Sequence, residues 1–170
     1  MQKMTSAYAN KMIRSLEEDK LYWEKLEADS CTYVAAINEE PVIPEFDFAE
    51  VAATLARLDE KIAIIKHAVN LANATAQVSV GEDVLSVDMI RVKMAQLNRR
   101  KNVLDNLRKM LPKTREDRGF ASRNVVPEYR YINFDPEVVK QEYERISALI
   151  MEMQMALDKH NQTVTFDVDI

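Results

Sequence analysis

Seven residues, Val51, Leu55, Leu58, Ile62, Ile65, Val69 and Ala72, follow one another at alternating spacings of four and three. A repeat of about 3.5 residues is a coiled-coil seam, which must be buried along another helix. A helix over about 47–76 is therefore predicted, and its start is specified. Asp47 can cap the free N–H groups, Glu50 completes a capping box, and Phe46 can staple onto Val51. The rhythm returns in Val139, Tyr143, Ile146, Ile150, Met153, Leu157 and His160, which predicts a helix over 136–160. Asp135-Pro136-Glu137 opens it with a carboxylate cap, a proline whose missing N–H costs nothing there, and an acid near the positive end of the dipole. A helix over 6–30 places Met12, Ile13, Leu16, Trp23 and Leu26 on one face. Another, over 87–111, carries Ile90, Met94, Leu97, Leu104, Leu107 and Leu111 and stops near Pro112.

The connections differ in kind. NEEPVIPEF, with its two prolines, reads as extended chain, and QVSVGEDVLS as a small hairpin around Gly81. The segment TVTFDVDI alternates strictly, as a half-buried strand does, and a strand needs an edge to pair with. EYRYINF, residues 128–134, is the expected partner, within one chain or between two copies. With two glycines and five prolines in 170 residues, the expectation is one mainly α domain, 1–170. Its form is an antiparallel four-helix bundle or coiled-coil assembly with a small β element, residues 128–134 and a C-terminal strand 163–170.

No apolar run is long enough to span a membrane. The start, MQKMTSAYANKMIRSLEEDK, lacks the apolar core of a secretion signal, and the single Cys31 excludes an internal disulfide framework. A cytoplasmic protein is expected. Its net charge of −5 is unevenly placed: residues 88–131 hold 12 Lys/Arg against 5 Asp/Glu. Either oppositely charged helices pair, or that region meets an anionic ligand.

Catalysis finds no foothold. The two histidines, His67 and His160, lie on different helices, and neither zinc spacings nor phosphate-cradling glycine loops occur. No catalytic residue, metal or cofactor is predicted, and no enzyme. Binding is better supported. His67, Asn70 and Asn73 form a polar strip with Lys66 late in the 47–76 helix, where amides can read a base edge or set register inside a bundle. Arg99 lies in the basic run Asn98–Asn102, suited to phosphate or to ion pairing with an acidic helix. Between the last two helices, Arg115, Arg118, Arg123 and Arg130 interleave with Phe120, Tyr129 and Tyr131. Arginines for phosphate and aromatics for stacking are the ingredients of nucleotide recognition. In an extended strand, Tyr129, Tyr131 and Asn133 point one way and Arg130, Ile132 and Phe134 the other.

The order of these pieces resembles the septicolysin-like family of small helical bacterial proteins, most of whose members have no established function. Asn70-Leu71-Ala72-Asn73 is similar to the family's I-N-x-T-N element, and Leu85-Ser86 to the L-S-x-A-L start of a helix. SRNVVPEYRYINFDPEVV resembles its R-Y-S-R-S-E-I-K followed by an extended piece and a last helix. The A-L-A-x-R-D and N-W-T-T-D-L motifs are not reproduced. The likeness covers about residues 46–165. The family name implies a cytolysin, although no residue here resembles a membrane-inserting element.

The expected function is non-enzymatic: a homo-oligomer that binds a small anionic, nucleotide-like ligand, with sequestration of a nucleotide signal as one use. The alternative is a structural or adaptor protein assembling through its seams and terminal strand. The acidic remainder of the chain opposes extended nucleic acid as a partner.

Overall fold

A computed structural model of the chain describes residues 1–116 and 126–170. A short strand, β1 (Gln2–Thr5), leads into α1 (Ser6–Ser30). Thr5 is the cap between them, its hydroxyl accepting the Tyr8 N–H at 3.2 Å. Residues 31–47 run irregularly, with only Pro44 and Phe46 partly covered. α2 (Phe48–Thr75) then begins as expected, a carboxylate oxygen of Asp47 accepting the N–H groups of Ala49 at 2.8 Å and Glu50 at 3.3 Å. β2 (Gln77–Val80) and β3 (Asp83–Ser86) form the hairpin around Gly81 and lead into α3 (Val87–Leu107). β4 (Lys113–Arg115) and β5 (Tyr129–Tyr131) form a two-stranded ribbon, followed by α4 (Pro136–Thr163) and β6 (Thr165–Val168). The protein is thus mainly helical, with small two-stranded sheets. None of the described helices is long and apolar enough to cross a membrane.

The chain divides into two compact units, residues 1–78 with 157–170, and residues 79–156. In the first, Ala9 and Ile13 of α1 pack with Ile65 and Val69 of α2, and Met4 of β1 and Val168 of β6 join the same core. The α2 seam is buried at Val51, Ile62, Ile65 and Val69, then continues into Asn73 rather than Ala72. Along the outside of the pair, the Lys20 ammonium reaches Asp59 at 2.6 Å and the Lys66 ammonium reaches Glu17 at 2.7 Å. Such exposed pairs fix register more than they stabilise. In the second unit, Leu104 of α3 packs with Val139 and Ile146 of α4, with Leu97, Leu107, Phe134, Tyr143 and Ile150 around them.

Three expectations are corrected. The C-terminal strand does not pair with residues 128–134. β6 runs antiparallel to β1, with Gln2 opposite Val168, Lys3 opposite Asp167, Met4 opposite Phe166 and Thr5 opposite Thr165. Burial explains that choice, because Met4 and Val168 are each 1% exposed in this arrangement. The helix predicted over 87–111 ends at Leu107, where tighter bonds from Lys109 N–H to the Asn106 carbonyl and Met110 N–H to the Leu107 carbonyl close the last turn. Pro112 disfavours helix in the residue before it. The last helix runs on to Thr163, whose hydroxyl donates to the Lys159 carbonyl at 2.7 Å, so the strand begins at Thr165 rather than 163.

Candidate functional site: a basic and aromatic ribbon

The β4–β5 ribbon is antiparallel, with Lys113 opposite Tyr131, Thr114 opposite Arg130 and Arg115 opposite Tyr129. Bonds from Ile132 N–H to the Pro112 carbonyl, 3.3 Å, and from Glu116 N–H to the Glu128 carbonyl, 3.0 Å, flank it on either side. Residues directly opposite in an antiparallel pair share a face. One face therefore carries Lys113, Arg115, Tyr129 and Tyr131, and the other carries Thr114 and Arg130. Tyr129 is 41% exposed and Tyr131 62%.

Lys113 was not singled out by sequence, yet it is central here. Its ammonium lies 4.0 Å from the Tyr129 ring centroid and 5.5 Å from that of Tyr131. The readable signal was alternation: K-T-R opposite Y-R-Y places cations against aromatics on one face. Arg115, beside it, has no hydrogen bond or ion pair with the described residues.

Arg130, on the opposite face, is ion-paired with Glu116 and is thereby partly neutralised. A cleft of about 530 Å³ is lined by Thr114, Glu116 and Arg130 together with Arg115, Tyr131 and Phe134. The split of tyrosines from Arg130 is the one that strand alternation predicts. Elsewhere in this unit, Asp105 accepts hydrogen bonds from Lys109 and Arg108, which hold its carboxyl below the ordinary aspartate range. Those two cations are occupied, and Arg108 also lies 4.2 Å from the Tyr143 ring.

The remaining predicted residues are dispersed. Arg99 is exposed on α3. His67, Asn70 and Asn73 belong to the first unit, where Asn70 is exposed and Asn73 is 3% exposed, so they do not form one open strip. The Asn73 side-chain oxygen finds no hydrogen-bond partner among the described residues. His67 borders a groove of about 610 Å³ on α2, lined largely by Ala63, Ile64, Ala68, Leu71 and Phe166. Asp167 and Asp169 also line it, an arrangement unsuited to an anion. Arg118 and Arg123 lie outside the described residues.

No family model matches this chain, and no curated protein matches it. A solved structure does: the crystal structure of a functionally unknown conserved protein from Corynebacterium diphtheriae. It is similar at a TM-score of 0.62 and 14% identity, covering 98% of this chain and 100% of the other. That likeness is one of fold. The resemblance to the septicolysin-like family rests on the motifs quoted above.

Proposed function

We propose that this protein binds a small anionic, nucleotide-like ligand on the open face of the β4–β5 ribbon and performs no chemistry on it. The observation that carries the reading is the placement of two cations, Lys113 and Arg115, directly opposite two exposed tyrosines. Arginine's planar fork suits a phosphate, and a tyrosine ring stacks on any base. Lys113 already covers Tyr129, so a base must displace it. A cation–π contact at an exposed site is worth about 0.5–1 kcal/mol, whereas base stacking on an aromatic is worth about 1–3 kcal/mol. Displacement is favourable, and the freed ammonium becomes a phosphate ligand. Sequestration of a nucleotide signal is one use for such a site, and the single Cys31 suits a reducing cytoplasm.

Calorimetry against a panel of nucleotides tests this reading. Binding is expected to weaken with added salt and to be reduced by Arg115→Ala and Tyr129→Ala. Failure of every nucleotide to bind or to shift melting would sink it.

A second reading is favoured by exposed apolar side chains. Met89, Val92 and Val103 on α3 are 52%, 59% and 47% exposed, and Val34, Ile37 and Val42 stand open at 99%, 107% and 89% in the connection before α2. These would be covered in a homo-oligomer, with helices of two copies completing a four-helix assembly. Sedimentation should then show a discrete oligomer, weakened by Val92→Glu. A monomer at all accessible concentrations rejects that reading.

A further inference from the structure

We propose that the ribbon takes two nucleotides rather than one, and that its ligand is a dinucleotide carrying two phosphates. The proposal rests on the nucleotide-binding reading above and adds the size of the ligand. The face repeats: Tyr129 with Arg115 makes one row, and Tyr131 with Lys113 makes a second. Antiparallel strands rise about 3.4 Å per residue, so the rows stand about 6.8 Å apart. That is twice the ~3.4 Å rise between stacked bases of one strand. An alternation of tyrosine, base, tyrosine, base therefore fits the spacing, with one base for each ring. Each row also supplies one cation, which matches one phosphate per nucleotide.

Among the described residues the same face supplies no third row. Continuing the register past Lys113 brings Leu111 opposite Asn133, which offers neither cation nor aromatic ring. Past Arg115, Glu116 and Glu128 fall on the opposite face, and the next described position on this one is Pro127, which offers neither cation nor aromatic ring. A longer strand would thus run from a matched pair of rows into a proline at one end and an aliphatic side chain at the other.

The test compares three probes by calorimetry: adenosine monophosphate, 5′-phosphorylated diadenylate and hexaadenylate. Diadenylate is expected to bind about fivefold or more tightly than the monophosphate, since stacking a second base contributes about 1–3 kcal/mol. Hexaadenylate should gain nothing beyond the number of registers it offers. Tyr129→Ala or Tyr131→Ala, alone, should reduce diadenylate to the monophosphate level, while Tyr131→Phe retains it. Unchanged circular dichroism in these exposed-site variants separates loss of a stacking ring from loss of fold. Equal affinity for monophosphate and diadenylate overturns the proposal and leaves the nucleotide reading standing. A gain from diadenylate to hexaadenylate well beyond its number of registers also overturns it, because the site would then extend beyond two rows. Absence of binding by all three overturns both.

Discussion

At Gly81 the backbone takes φ of +57°, and a Cβ placed there would lie 3.3 Å from the Glu152 carboxylate oxygen. The first effect dominates, since the flexible carboxylate can move whereas the left-handed backbone cannot be avoided in this turn. Gly81→Ala is expected to cost about 1–2 kcal/mol, read from urea unfolding, with Gly81→Asn milder because asparagine tolerates that region. Asn73 poses the opposite case. A buried amide oxygen without a partner forfeits about 1–3 kcal/mol of solvation, so Asn73→Leu should stabilise the fold in the same assay. A marked destabilisation would show that the amide has a partner or a role the seam needs. In a sequence Asn70 and Asn73 look alike, three apart on one helix. The difference between them is burial, which depends on where α1 and β6 lie.

The helices were the most legible elements, because seams such as Val139, Ile146 and Met153 must be buried wherever they go. β1 was not legible: four residues, Gln2–Thr5, with one buried methionine carry no periodicity to read. β4 was hidden for a related reason, since K-T-R reads as basic loop until the strand opposite it is known. The ribbon's Arg/Tyr composition was visible in sequence, whereas its sorting onto two faces came from register, and Lys113 emerged only with it. At the end of α3, Lys109 and then Arg108 hold the Asp105 carboxyl below its ordinary value of 3.8. A carboxyl with a lowered folded-state pKa contributes stability above its unfolded value, and loses it as pH falls through the folded one. Melts of Asp105→Asn and the parent protein should therefore differ most near neutrality and converge in acid below the ordinary aspartate range. The effect is small because the group is exposed. A difference that persists unchanged at the acid end would assign the effect to helix propensity instead.

Two units share one chain, and they differ in how they are assembled from it. Residues 79–156 are continuous, whereas the other unit is made of residues 1–78 and 157–170. Its β1–β6 sheet joins the two stretches, with Met4 and Val168 both in the core. Val168→Asp should accordingly unfold the first unit, and hydrogen exchange would report lost protection in β1 as well as β6. The structural neighbour matched along nearly the whole chain indicates that this order of elements recurs at 14% identity. It says nothing of ligands, and the exposed ribbon face must be tested on this protein.

The antiparallel closure of β1 on β6 has a kinetic meaning. A ribosome makes β1 well before its partner β6, with α1 to α4 synthesised in between. Loop-closure entropy grows slowly with length, so joining β1 to β6 costs only about 2 kcal/mol more than joining β4 to β5. The delay is the larger matter. During synthesis Met4 waits without its cover, and the contiguous unit is free to form in the interval. Nascent chains arrested with residues up to 156 outside the ribosome should show protected amides in α3 and α4 before those of β1 gain protection. Simultaneous protection would mean that the two units fold as one cooperative body.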